Sequence, residues 1–111
     1  MTDIARLHEG LLRVRERFLD DLDGRERVVK ALRMEISSTG NPGPSRDAAQ
    51  RQLHRIAGTA ATLGLPELGQ AASICEDELV QVQGGKAFDA DRTEGMLQDV
   101  LRQISKARTG G

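Results

Sequence analysis

The sequence has few aromatic residues and only one cysteine. Its 111 residues include no tryptophan, no tyrosine, two phenylalanines and a single cysteine, Cys75. A core built mainly from Leu, Val, Ile and Ala suits helix-on-helix packing better than a sheet, which favours β-branched and aromatic residues. One cysteine excludes an internal disulfide and a cysteine-rich metal site.

The sequence also lacks a long hydrophobic run and an excess of either charge. No apolar stretch approaches membrane-spanning length, and Asp3, Arg6 and Glu9 make the N-terminus too charged for a signal peptide. The net charge is −1, with acidic and basic residues interspersed, which argues against a nucleic-acid surface. We therefore expect a cytoplasmic protein of one domain, residues 1–111, that binds neither membranes nor nucleic acids.

Apolar residues recur at three- and four-residue spacing, which predicts an all-α fold. The predicted helices cover residues 3–36, 46–63 and 66–82, and a final segment that begins at Asp89 or Asp91, either of which could cap it. Short connections between amphipathic helices imply antiparallel neighbours. The predicted architecture is an antiparallel up-down four-helix bundle.

The connections contain clear helix breakers. Pro42 and Pro44 exclude a helix between residues 37 and 45, and Ser45 is expected to cap the second helix with its side chain. Gly64 is expected to end that helix after Leu63. Pro66 is suited to the first turn of the third helix, where its missing N–H costs nothing.

The first helix carries the longest apolar stripe, and its course is left open. Gly24 could break or kink the helix and Arg25 interrupts the stripe. One long helix that is bent or projects from the bundle and two shorter helices are therefore both compatible with the sequence. We expect a monomer whose own core uses the stripe (Ile4, Leu7, Leu11, Val14, Phe18, Leu22, Val29, Leu32, Ile36). The heptad-like spacing from Ile4 to Phe18 would also suit a coiled coil, and hence a non-catalytic interaction bundle.

The second helix contains an exposed histidine on a nearly bare face. If Leu53, Ile56, Ala60 and Leu63 face the core, then His54 lies on the outer flank, with Gly58, Ala61 and Thr62 following it. A mid-helix glycine costs roughly 1 kcal/mol relative to alanine, so Gly58 indicates either tight helix packing or access for another protein to His54. An imidazole is a good nucleophile near neutral pH.

This stretch resembles the histidine-containing phosphotransfer (HPt) domains of multistep two-component relays. Their pattern is a His, an aliphatic residue two positions later, usually a Lys followed by a Gly, then small residues and an apolar-Gly ending. Here the pattern reads His54, Ile56, Ala57, Gly58, Thr59-Ala60-Ala61 and Leu63-Gly64. The segment from Cys75 to Leu79 also resembles the next helix of the family.

The resemblance implies that His54 is phosphorylated. It also implies that the partners are receiver domains of response regulators and a hybrid sensor histidine kinase. The protein would then have no kinase or ATPase activity and no metal or cofactor of its own, because Mg²⁺ comes with the receiver domain. The expected docking face consists of Ala57, Gly58, Ala61 and Thr62.

One departure from the family pattern concerns the phosphoryl oxygens. Ala57 stands where the family usually has a lysine that helps to hold them. Arg51 and Arg55 flank His54 and could substitute electrostatically. Glu76 occupies a position where the family often has a polar residue near the imidazole. Its carboxylate could hold Nδ1–H and leave Nε2 as the nucleophile, although its charge would repel the phosphoryl group.

Two other functions fit the sequence poorly. A helix-turn-helix reading would make the third helix the recognition helix, but that helix carries Glu67 and Glu76-Asp77-Glu78 and no basic residue, so it would repel phosphates. A sensor-kinase dimerisation domain usually has an acidic residue after the phosphorylated histidine, and Arg55 stands there instead.

Overall fold

Four helices account for most of the molecule. The computed structural model describes residues 3–110, which contain α1 (Asp3–Thr39), α2 (Arg46–Ala60), α3 (Pro66–Gln83) and α4 (Ala90–Arg108). No strand occurs within these residues, so the all-α prediction is confirmed. Across residues 3–110, no helix combines the length and the apolar character needed to span a membrane.

The helices form an antiparallel ring. Helix α1 packs against α2 and α4, and α3 packs against the same two helices. Arg33, late in α1, lies 3.9 Å from Glu94 near the start of α4, whereas Arg108 at the end of α4 bonds Asp23, earlier in α1. These pairs show that α1 and α4 run in opposite directions. The predicted up-down four-helix bundle is therefore confirmed.

The core is aliphatic, as the periodicity predicted. Each helix contributes a buried row (Phe18, Leu22, Val29, Leu32 and Ile36 from α1; Ala49, Leu53, Ile56 and Ala60 from α2; Leu68, Ala72, Cys75 and Leu79 from α3; Leu97, Val100, Ile104 and Ala107 from α4). Burial, together with the nearby Glu78 charge, raises the pKa of the Cys75 thiol to about 12. The thiol is therefore protonated at neutral pH and serves as a small apolar side chain.

Helix α1 is one continuous helix of 37 residues, which resolves the alternative left open by the sequence. Gly24 does not end it. Arg25 lies on the apolar stripe without disrupting it, because its guanidinium donates a hydrogen bond of 3.0 Å to the Gln52 side chain of α2. At 1.5 Å per residue α1 is about 55 Å long, which agrees with the longest dimension of the molecule, 56 Å.

The prediction that the N-terminal part of the α1 stripe lies in the core is wrong. Ile4, Leu7, Leu11 and Val14 are all exposed, and Ile4 retains 79% of its accessible surface. The reason is geometric, since α2, α3 and α4 have only 15, 18 and 19 residues and are too short to cover a helix of 37. The first turns of α1 therefore project beyond the end of the bundle.

The predicted start of α2 at Arg46 is confirmed, but its cap and its end need correction. The Ser45 side chain makes no capping bond, because Ser45 already has helical backbone angles; its own N–H donates to the Glu35 carboxylate. The helix ends at Ala60, three residues before Leu63. There the chain tightens into a turn closed by Leu65 N–H bonding the Ala60 carbonyl at 2.9 Å, with Gly64 at φ +82°.

The starts of α3 and α4 follow the sequence signals. Pro66 occupies the first turn of α3. Asp89, one of the two predicted caps of α4, accepts a hydrogen bond of 3.0 Å from the Arg92 N–H. Asp91 lies in the first turn, where its negative charge is favourable near the helix N-terminus.

A buried carboxylate joins the end of α3 to the start of α4. Glu78 is almost completely buried, and its Oε1 accepts hydrogen bonds from Lys86 at 2.9 Å and from the Arg92 Nε at 3.2 Å. The hydrogen bond from Lys86 is the largest cause that lowers the pKa of Glu78. The Lys86 charge and the hydrogen bond and charge of Arg92 lower this pKa further, and together these effects outweigh burial, which raises it. The ionised carboxylate thus holds the α3–α4 connection against the bundle.

We predict that Glu78→Gln lowers the free energy of unfolding by about 2 kcal/mol at pH 7, because it removes a buried charge-assisted contact while Lys86 and Arg92 stay partly solvated. Because the pKa of Glu78 is lower in the folded than in the unfolded protein, ionisation of Glu78 stabilises the fold. This stabilisation is complete above the unfolded-state pKa near 4.5 and disappears as the pH falls through the folded-state pKa. Urea titrations from pH 3 to 7 should show the difference from wild type shrinking only at the acidic end. A difference that is independent of pH would contradict this role.

Candidate functional site

The rotation of α2 about its axis determines which side chains reach the surface. Leu53 and Ile56 are fully buried against the other helices. Because successive residues are about 100° apart around a helix, the residue after Leu53 must leave the core. His54 is accordingly exposed, with 77% of its side chain accessible to solvent.

A carboxylate from α3 holds one nitrogen of this exposed ring. The Nδ1 atom of His54 lies 2.7 Å from Oε2 of Glu76, whose side chain is only 18% exposed. A carboxylate can only accept, so this contact favours the tautomer with the proton on Nδ1. The structure therefore brings together two residues that the sequence singled out from different helices. Within residues 3–110, the other ring nitrogen, Nε2, has no hydrogen-bond partner.

Two arginines lie beside the imidazole. Arg51 and Arg55 line a shallow surface depression together with Gln50, His54 and Glu76. Both side chains are exposed, and neither guanidinium forms an ion pair or hydrogen bond with another described residue. The depression thus combines one fixed carboxylate with two unpaired cations. This arrangement leaves positive charge available for an anion that approaches Nε2.

The helix surface beyond His54 is almost without side chains. Gly58 is exposed, and a Cβ placed on it would meet no atom within 4 Å, so tight helix packing does not explain this glycine. Ala61 and Thr62 are also exposed. Ala57 differs from these three, because it is half-buried and packs against the core. The expected docking face is therefore open at Gly58, Ala61 and Thr62, and Ala57 contributes only its outer edge.

A second glycine, which the sequence reasoning did not single out, shapes the same region. Gly69 of α3 is buried under the end of α2, and a Cβ there would lie 3.3 Å from the Ala61 nitrogen and 3.6 Å from the Ala60 Cβ. Gly69 therefore allows close approach of α3 to α2. Its position inside an apolar helical stripe was the available signal, and it is the same kind of signal that drew attention to Gly58.

The site has no metal-binding cluster of its own in the part of the chain that the structure describes. Within residues 3–110, no group of three or more His, Cys, Asp or Glu side chains is placed to hold a metal ion. The chemistry available from the described residues at this site is therefore that of a nucleophilic imidazole, a fixed carboxylate and two guanidinium groups.

The comparison with known families agrees with this geometry. The Hpt domain family model matches residues 13–107, which is most of the chain and includes all of α2, α3 and the greater part of α1 and α4. The comparisons with curated proteins and with solved structures found no match. The chain belongs to the Hpt domain family, whose members carry out histidine phosphotransfer in two-component phosphorelays.

Proposed function

We propose that this chain is a phosphoryl carrier that accepts a phosphoryl group on Nε2 of His54 from a receiver-domain aspartate and passes it to another. The observation that carries the proposal is the contact between His54 and Glu76. It leaves one ring nitrogen unpartnered on an exposed face while the opposite nitrogen is held at 2.7 Å. The phosphorylated receiver of a hybrid sensor histidine kinase is the expected donor, and the receiver of a response regulator is the expected acceptor.

The transfer needs no general base, because the attacking Nε2 carries no proton when Nδ1 is the protonated nitrogen. The Nε2 lone pair forms a bond to phosphorus, and the bond between phosphorus and the donor aspartate oxygen breaks, which releases a free aspartate carboxylate. The ring becomes positively charged because Nδ1 keeps its proton. The Glu76 carboxylate at 2.7 Å stabilises that charge, and the reverse steps deliver the phosphoryl group to the next aspartate.

The charges around His54 act on different parts of the reacting group. Glu76 approaches the ring from the Nδ1 side, so its repulsion of the phosphoryl oxygens is partly offset by its attraction for the ring proton. Arg51 and Arg55 are unpaired and can attract the phosphoryl oxygens, which supports a role in place of the lysine that Ala57 replaces. We expect Mg²⁺ to arrive with the receiver domain, where it would neutralise oxygen charge in the transition state.

A receiver domain must bring its aspartate within reach of Nε2. The absence of side chains at Gly58 and the small size of Ala61 and Thr62 leave room for active-site loops against this face of α2. Flat, small-residue surface beside an exposed nucleophile supports docking of another protein better than binding of a small molecule, which usually requires a concave apolar pocket.

We predict that His54→Gln abolishes labelling by a phosphorylated receiver domain, because the substitution removes the nucleophile and leaves the buried row of α2 intact. Wild type should acquire an acid-labile, base-stable label. His8→Gln is the matched control, since His8 is the other histidine and is exposed on α1. Absence of label on folded wild type with every receiver tested would favour a non-catalytic interaction bundle instead.

We predict that Glu76→Ala slows phosphoryl transfer about tenfold, because a charge-assisted hydrogen bond of about 1.5 kcal/mol is lost. Glu76→Gln should slow transfer less, about threefold, since its amide oxygen still accepts from Nδ1–H but carries no charge to stabilise the ring. NMR of the phosphorylated protein should place phosphorus on Nε2 alone in wild type and on both ring nitrogens in Glu76→Ala. An unchanged rate and a single isomer in Glu76→Ala would exclude this positioning role.

We predict that the double substitution Arg51→Gln/Arg55→Gln slows phosphoryl transfer about fivefold, because exposed charge interactions contribute roughly 0.2–1 kcal/mol each. The effect should fade in 0.5 M salt, where screening is strong. Arg27→Gln/Lys30→Gln removes the same net charge from exposed positions of α1 and should leave the rate unchanged. Equal effects of the two pairs would assign the loss to net charge rather than to the site.

A further inference from the structure

The projecting end of α1 carries apolar surface that the phosphotransfer site does not use. The N-terminal stripe, defined here as Ile4, Leu7, Leu11 and Val14, is exposed along its whole length. The family match begins at residue 13, so nearly all of this stripe lies outside the Hpt domain. His54 lies on α2, whereas the stripe lies beyond the end of the bundle. The function proposed above therefore gives no reason for four exposed aliphatic side chains in this segment.

The N-terminal stripe continues the core-facing side of α1. At 100° per residue, its four members lie within about 40° of Phe18 around the helix axis, and so do the buried residues from Leu22 to Ile36. The stripe therefore points in the direction in which another helix packs farther along α1. No helix of the same chain packs against the N-terminal stripe, because α2, α3 and α4 end before reaching it.

We propose that a second copy of this chain supplies the missing helix, and that the two projecting segments pair as an antiparallel coiled coil. Ile4 and Leu11 occupy heptad a positions, and Leu7 and Val14 occupy d positions. In an antiparallel pair, Ile4 lies opposite Val14 of the second copy and Leu7 lies opposite its Leu11, which gives four apolar layers related by a two-fold axis. The surface is thus self-complementary, as a closed symmetric dimer requires.

The charges beside the stripe favour the antiparallel orientation. This register places Asp3 opposite Arg17 of the second copy, and the two-fold axis repeats the pair, so two ion pairs flank the apolar layers. Arg17 is exposed and has no ion-pair partner among the described residues. A parallel pair would instead set Asp3 beside His8 and Arg15 beside Gly10, which offers no pair of opposite fixed charges.

The residues near the two-fold axis also permit close approach. Gly10 meets its own copy there, and a Cβ on Gly10 would touch no atom of its own chain within 4 Å, so packing within one chain does not account for this glycine. His8 faces His8 of the second copy on the other side of the helices. No pair of like fixed charges faces across this register.

The area involved is suited to a weak and reversible dimer. The four side chains and their polar neighbours would bury about 1,000 Å² in total, which is at the low end for a specific interface. We expect a dissociation constant on the order of 10 µM. The dimer would leave both His54 faces open, because the paired segments lie beyond the bundle ends. This proposal is independent of phosphotransfer and of whether His54 is phosphorylated.

The test is sedimentation equilibrium of the full chain over about 5 to 500 µM, with Leu11→Glu compared with Leu12→Glu. Leu11 and Leu12 are adjacent and both are 47% exposed, but only Leu11 belongs to the N-terminal stripe. Wild type and Leu12→Glu should rise from 12.1 kDa toward twice that mass. Leu11→Glu should stay monomeric, with circular dichroism confirming that it is folded.

Charge reversal tests the orientation. Asp3→Arg should weaken the dimer about tenfold, and Asp3→Arg/Arg17→Asp should restore it, because the opposite charges again face each other. A wild-type chain that remains monomeric up to 500 µM would overturn the proposal. Equal disruption by Leu11→Glu and Leu12→Glu would also overturn it, as would a monomer that binds anionic phosphatidylserine vesicles through this segment.

Discussion

Burial of the Leu53 and Ile56 side chains is the constraint on which the functional site depends. These two side chains fix the rotation of α2 about its axis, and that rotation turns His54 toward solvent and Gly58 and Ala61 into the same open row. No local feature of His54 is needed to explain its exposure. Because the aliphatic core is shared by four helices, the position of one imidazole is supported by packing across the whole bundle.

The contact between His54 and Glu76 links this packing to chemistry. Helix α3 places its carboxylate at the Nδ1 side of the ring because α2 and α3 are neighbours and because Gly69 allows them to approach closely. In the proposed transfer, the cost of this contact is a negative charge close to the phosphoryl oxygens. Arg51 and Arg55, which have no partners among the described residues, oppose that charge from α2.

Much of this arrangement could be predicted from the sequence, since helical periodicity reports directly which residues face a core. That reasoning located the four helices and the exposed His54, and it gave Asp89 as one of two candidate caps of α4. It failed at Ser45, because Ser45 has helical backbone angles and its side chain makes no capping bond. It failed at Leu11 for a different reason, since an apolar stripe indicates that something covers it but not whether the cover comes from the same chain. Comparing the lengths of the predicted helices would have revealed the excess in α1.

In the proposed mechanism, His54 offers Nε2 as its nucleophile while Nδ1 keeps a proton held by Glu76. Long-range ¹H–¹⁵N NMR of the histidine rings at neutral pH, recorded before and after incubation with a phosphorylated receiver domain, tests it most directly. We predict a protonated Nδ1 on His54 in both spectra and a phosphorus coupling at its Nε2 after incubation. A proton on Nε2 before incubation, or phosphorus on Nδ1 or on His8 afterwards, would contradict it.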